Sequence, residues 1–181
     1  MKVYGLADLS PGSDDRAFVI ATWSSSYKSS HFAGMIAAED WATVMHAQIG
    51  KLLDRPDTRT LVARGGRDFL YGFIAGDPDL RVTLSEPAGG RRWVDVEYVG
   101  VVHYVYVKDA FRSEAHPDGS RGGPRIARGL LGALGIEPAQ PFLYTCRTGV
   151  VARLQEKIPR ARFAPAAARY TNYRDHQHEQ R

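Results

Sequence analysis

The stretch from Val101 to Leu134, VVHYVYVKDAFRSEAHPDGSRGGPRIARGLLGAL, constrains the fold of this chain more than any other. It opens with alternating Val and Tyr up to Lys108, the pattern of a central sheet strand buried on both faces. A Gly- and Arg-rich loop follows from Arg112 to Arg125, then an apolar run that predicts a helix from near Ile126. Such a loop can turn several backbone N–H groups toward one point, and Arg112, Arg121 and Arg125 add full charges. A helix N-terminus aimed at the same point adds its dipole. Strand, cationic loop and helix start together predict an anion cradle suited to phosphate.

The remaining composition narrows the classes of function. A chain of 181 residues suits one domain with a core of useful size. No apolar run approaches the ~18–20 residues of a membrane span, and the opening MKVYGLADLS has no signal-peptide apolar region. The one cysteine, Cys146, excludes an internal disulfide and a cysteine-based metal cage, and fits a reducing cytoplasm. A net charge of +4 makes an anionic cofactor or a nucleic acid a reasonable partner.

Periodicity divides the chain into elements. Phe18–Thr22 (FVIAT) reads as a short strand, and Ala37–Leu53 has the 3–4 apolar spacing of a helix, with Asp40 near its start. Arg55-Pro56-Asp57 ends that helix. Thr60–Ala63 and Leu70–Ala75 read as strands joined by a turn at Gly65–Asp68. The polar stretch Asp77–Arg92 is expected to be an exposed excursion. Trp93–Val107 is a long strand or strand pair, interrupted at Gly100, where a bulge would be natural. A helix over Ile126–Leu134 ends at Gly135. Phe142–Thr145 is a strand, Gly149–Lys157 a helix and Arg162–Tyr170 an irregular or final strand. The fold class is α/β (α+β), a mixed twisted sheet of six to seven strands flanked by about four helices. One domain spans residues 1–170, and a polar tail spans 171–181.

The phrases YVYVKDAFR and, further on, IARGLL resemble the cofactor-binding core of the GNAT (GCN5-related N-acetyltransferase) superfamily. There a strand leads into a loop of pattern Arg/Gln-x-x-Gly-x-Gly/Ala, and the next helix holds the pyrophosphate of acetyl-CoA. Arg112 stands as the opening Arg and Ala127 as the final small residue. Twelve residues, EAHPDGSRGGPR, stand where the family usually has two or three. The middle Gly is displaced to Gly122 or Gly123, or replaced by Arg125. The element order β-α-(α)-β-β-β-α-β-α-β is the family's order, and the resemblance spans about residues 16 to 170. The phrases ATWSSSYKSSHFAG, LLDRPDTRTLVA, HYVYVKDAFR and PFLYTCRTGVVARL also resemble phage- and prophage-encoded GNAT-like proteins.

The resemblance implies acetyl-CoA as cosubstrate and a primary amine as acceptor. The backbone of Tyr104, Val105, Tyr106 and Val107 would bind the acyl and pantetheine portion. Arg112, Arg121, Gly122, Gly123, Arg125, Ile126 and Ala127 would surround the phosphates. An attacking amine needs a base, a departing thiolate an acid. His103 on the central strand suits the base, since imidazole titrates near neutrality, but a histidine hydrogen-bonded in or beside the core is the more ordinary reading. Glu97, six residues upstream, shares its face if the strand is regular. Tyr144, Tyr170 and Tyr173 are the candidates for the acid, against the packing role tyrosines usually have in strands. Cys146 reads as a small buried hydrophobe.

Weaker constellations remain. His46 either lines an acceptor site or flanks an apolar stripe, and His176 with His178 lies in the tail. Arg147, Arg153, Lys157, Arg160, Arg162 and Arg169 make a basic C-terminal third that suits either a phosphate backbone or plain solvation. Three readings stand side by side. One is an N-acetyltransferase whose acceptor is a primary amine, with an amino-modified thymine or uracil of phage DNA as one such acceptor, protecting it from host restriction. Another is a DNA-modifying enzyme of the same fold that does not use acetyl-CoA. The third is a non-catalytic protein of this fold that binds a host partner.

Overall fold

The computed structural model describes residues 4–28, 34–65, 69–89, 92–112, 122–137, 139–146, 158 and 160–165. Ten elements run in the order β1 (Gly5–Asp8), α1 (Asp14–Tyr27), α2 (Trp41–Leu53), β2 (Arg59–Gly65), β3 (Phe69–Pro87), β4 (Trp93–Val107), α3 (Asp109–Arg112), α4 (Gly122–Leu134), β5 (Phe142–Tyr144) and β6 (Ala161–Phe163). The six strands form one mixed sheet in sequence order. β1 to β4 pair antiparallel, and β5 and β6 join parallel. This is the mixed α+β class, six strands with four helices, that the sequence predicts.

Alternation along the strands sorts side chains onto two faces. Leu61, Ala63, Ile74, Val105 and Val107 pack with Ile126, Ala127, Leu130, Leu131 and Leu134 of α4. Their neighbours Val62, Phe73, Ala75 and Tyr104 pack with Val19 and Trp23 of α1 and Ile49 of α2. The sheet is thus a middle layer between α4 on one face and α1 with α2 on the other. Each fully buried aliphatic side chain contributes about 1.5–3 kcal/mol, so the two cores hold the layers together. The apolar stripe of α4 recurs every three or four residues, as an amphipathic helix requires. It ends in a Schellman motif: Ile136 N–H donates to Leu131 O at 3.1 Å, and Gly135 adopts φ 90°.

Four expectations need correction. Phe18–Thr22 lies inside helix α1, where Val19 and Trp23 are buried one turn apart and Asp14 and Asp15 favour the helix N-terminus. The first strand is instead Gly5–Asp8, exposed throughout and paired with β2, so no alternating pattern announced it. Asp77–Arg92 is largely strand rather than an irregular excursion. β3 runs on to Pro87 and pairs with the first half of β4, from Arg81↔Val99 to Pro87↔Trp93, as a two-stranded ribbon. Helix α4 begins at Gly122, one turn before Ile126. The expected Gly149–Lys157 helix, most of Arg162–Tyr170 and the tail lie outside the described residues.

Candidate active site

Two irregularities in β4 decide the geometry of the sheet's centre. At Gly100 the register shifts from Asp77↔Val101 to Arg81↔Val99, at the expected interruption. Gly100 takes φ 80°, and a Cβ there would lie 2.9 Å from the Ile136 side chain. The second shift falls between Ala75↔Tyr104 and Gly76↔Val102, leaving His103 as the extra residue of a β-bulge. In a regular strand successive carbonyls point to opposite edges. Here Val102 O accepts the Thr145 N–H at 3.0 Å, and His103 O accepts the Thr145 hydroxyl at 3.3 Å. The bulge turns both carbonyls toward the residue that follows β5.

Beyond that point β4 and β5 do not pair among the described residues. Their pairing is limited to Val101↔Leu143 and Val102↔Tyr144. Lys108 N–H donates to Tyr71 O at 2.8 Å, so antiparallel alternation turns Tyr106 and Tyr104 toward β3 and Val105 and Val107 away from it. The Arg112 Nε–H accordingly reaches Val107 O from the far side, at 2.6 Å. No strand pairs with this edge of Val105–Val107 among the described residues. Of the four backbone positions expected to meet an acyl-pantetheine chain, Val105 and Val107 face the gap. Tyr104 and Tyr106 are committed to β3 and send their rings into the α1 side, where Tyr104 stacks on Trp23 at 5.0 Å.

The parts expected to form an anion cradle meet at the end of β4. Gly123 packs so closely on Arg112 that a Cβ would lie 3.1 Å from the Arg112 Cα. The amides of the α4 first turn that lie outside the i→i−4 ladder belong to Gly122 and Gly123, Pro124 having none. No acidic residue occupies that turn to compete for an anion. Ile126 and Ala127 leave the cradle: they sit one turn inside the helix, with side chains in the core and N–H groups in the helical ladder. Arg112 is itself tied down. Besides Val107 O, its guanidinium meets Asp109 at 2.6 Å and lies over the Tyr106 ring at 5.4 Å. Arg121 lies outside the described residues.

His103 is wholly buried, beside an equally buried Asp77. Its Nε2 stands 3.0 Å from Asp77 Oδ2, and neither atom has a well-aligned hydrogen bond among the described residues. The other Asp77 oxygen accepts the Thr58 hydroxyl at 2.6 Å, and the Arg55 guanidinium lies 3.7 Å from Oδ2. Burial alone would push the Asp77 carboxyl up. The His103 ring, with Thr58 and Arg55 behind, outweighs that and holds it below the usual carboxylate range. On the ring's other side, Nδ1 lies 3.3 Å from the Thr145 hydroxyl.

The remaining candidates lie apart from this cluster. Glu97 is exposed on the ribbon opposite Thr83, six residues from His103 and on the order of 20 Å away along an extended strand. Tyr144 is buried on the α4 side, its ring 5.5 Å from that of Phe163. His46 is exposed on α2. Cys146 is buried, and burial pushes its thiol up to about 11, as suits a small core residue. Arg160 donates to Ala139 O and Arg162 meets Glu86, so the described part of the basic C-terminal third is internally engaged. Arg147, Arg153, Lys157, Arg169, Tyr170, Tyr173, His176 and His178 lie outside the described residues. No group of metal-ligating side chains occurs among the described residues.

Sequence reasoning missed Asp77 and Thr145. The signal for Asp77 was a carboxylate directly after the apolar run LYGFIAG, where a charge inside a buried strand needs a partner. Thr145 carried no signal; only the pairing of β5 with β4 brings it to His103.

No family model matches the chain, and no curated protein matches it significantly. Solved structures similar in outline include an aminoglycoside antibiotic 6'-N-acetyltransferase from Acinetobacter baumannii (11% identity, 86% of this chain and 89% of that one, TM-score 0.44). Another is a ribosomal-protein-alanine N-acetyltransferase from Brucella melitensis biovar Abortus 2308 (18%, 93% and 87%, TM-score 0.37). A third is a transcriptional regulator from Bacillus halodurans C-125 (10%, 86% and 91%, TM-score 0.43).

Proposed function

We propose that this protein is an acyl-CoA-dependent N-acyltransferase of the GNAT type, moving an acetyl group from acetyl-CoA to a primary amine. The observation that carries the reading is the end of β4–β5 pairing before Val105 among the described residues. It turns the Val105 and Val107 backbone into a gap whose far end holds Arg112 and the first turn of α4. Those parts fit the cosubstrate piece by piece. A pantetheine arm with amide groups can pair with an open strand edge, as a short added strand would. Its pyrophosphate matches the amides of Gly122 and Gly123 and the positive end of α4.

In this reading a neutral amine attacks the thioester carbonyl, the C–S bond breaks, and the products are an amide and a free thiol. A gap-facing N–H of β4 donates to the carbonyl oxygen as negative charge builds, and a fixed donor does so without reorganising. Arg112, held against Val107 O and Asp109, keeps the strand end and the helix start at a fixed spacing. Amino-modified bases of DNA belong to the acceptor class, together with polyamines, amino sugars and peptide amines.

The test is thiol release from acetyl-CoA in the presence of spermidine, kanamycin, a lysine-containing peptide and an oligonucleotide bearing aminomethyl-uracil. Release above the protein-free rate with at least one of them is expected. Tight acetyl-CoA binding with no release from any of these would favour a binding protein instead.

A further inference from the structure

Among the described residues, three features lie outside the gap. The β3–β4 ribbon exposes Trp93 and Val94, but nothing shows what would cover them. Cys146 is buried beside the half-buried Tyr27, and burial raises both thiol and phenol, so neither ionises readily. The chain of polar groups through His103 goes further. It crosses the sheet centre from Arg55 and Thr58 through Asp77 and His103 to Thr145, and ends at the apex of the gap.

A wholly buried imidazole cannot itself touch an acceptor amine. Thr145 is only partly buried, follows the last paired residue of β5, and lies against the His103 carbonyl on the edge from which Val105 also faces the gap. Its hydroxyl is thus the member of the chain placed where an amine attacking along that edge would come. Two buried atoms, His103 Nε2 and Asp77 Oδ2, face each other at 3.0 Å without another hydrogen bond. The Asp77 carboxylate favours a proton on the facing Nε2, which leaves Nδ1 bare toward Thr145. Thr58 and Arg55 fix the carboxylate from behind, and they are the other polar and charged groups facing it.

We infer that Thr145 relays a proton from the acceptor amine to His103, with Asp77 as the positioning residue that sets the ring. The inference rests on the acyltransferase reading. The step balances simply. The Thr145 hydroxyl, 3.3 Å from both His103 O and Nδ1, turns its proton from the carbonyl to Nδ1 as the incoming ammonium gives one proton to Oγ, leaving a neutral amine and an imidazolium beside the Asp77 carboxylate. The same path run backward returns the proton when the products leave.

The relay requires neutral His103 to carry its proton on Nε2, whereas a merely structural histidine would hold Thr145 by donating from Nδ1. Nitrogen-15 NMR of histidine-labelled protein at neutral pH distinguishes the two, with His103 assigned by loss of its signal in His103→Gln. The expected result is an Nε2–H tautomer. Its bare Nδ1 should shift in Thr145→Val, which removes the hydroxyl at nearly constant shape, and return in Thr145→Ser. An Nδ1–H tautomer, or an imidazolium persisting to pH 8, overturns the relay while leaving acetyl-CoA binding intact. An Nε2–H tautomer in a protein that does not bind acetyl-CoA overturns the acyltransferase reading, and the relay with it. With an amine that is turned over, Thr145→Val should lower kcat by about a hundred-fold. KM for acetyl-CoA should stay unchanged, and Thr145→Ser should recover most of the rate.

Discussion

Asp77 shows how much one residue can fix. A carboxylate with almost no exposure survives in the core only with partners on every side, and it has Thr58, Arg55 and His103. Asp77→Ala should therefore cost about 3–5 kcal/mol in urea unfolding, because it strands the groups around it. Since the folded carboxyl lies below the 3.8 of a free one, its contribution is complete above that pH. It fades as pH falls through the folded value. Acid unfolding of the native protein should accordingly show a stability loss below about pH 4 that Asp77→Asn lacks. Cys146 offers a second residue-scale check. Its thiol, raised by burial from 9.0 to about 11, forms roughly a hundred-fold less thiolate at pH 8 than a free one. Alkylation by iodoacetamide should be slow in the native protein and prompt in urea. Fast native alkylation would contradict the packing around Tyr27 and Tyr104.

Among the elements, those with strong periodicity were legible and those defined by their partners were not. The 3–4 spacing of Trp41, Met45, Ile49 and Leu52 marked α2, and the Val/Tyr run marked β4 with both of its ends. FVIAT misled because five apolar residues fit a strand or a helix equally, and only Val19 and Trp23 against the sheet decide it. The ribbon over Asp77–Pro87 was hidden because its alternation is mostly polar. The start of α4 was hidden because glycines carry no helical signature. Glycines also give a paired test of the packing. A Cβ on Gly72 would lie 2.3 Å from Tyr106 O, and backbone cannot yield there. Gly132, exposed on α4, has nothing within 4 Å. Gly72→Ala should destabilise by more than about 2 kcal/mol, through overpacking. Gly132→Ala should stabilise by about 0.5–1 kcal/mol, through helix propensity. Equal effects would mean that β3 and β4 approach less closely than described.

For the whole molecule, the element order was readable as far as β5, and the site only in part. The order survived the misplaced first strand because Gly5–Asp8 fills the same position ahead of the helices. The meeting of Arg112 with the glycines at the start of α4 was legible, yet Ile126 and Ala127 belong to the core and Arg112 serves the strand end. The catalytic candidates were legible one at a time. His103 was visible, but its partners Asp77 and Thr145 sit 26 residues before and 42 after it. Only the sheet brings them together. The central claim is that the gap between β4 and β5 binds acyl-CoA, and calorimetric titration with acetyl-CoA, CoA and desulfo-CoA tests it most directly. The account predicts micromolar binding of all three, weakened at least ten-fold in Gly123→Val, whose side chain would crowd the Arg112 backbone at the cradle. No heat of binding at millimolar acetyl-CoA, from a folded protein, would contradict it.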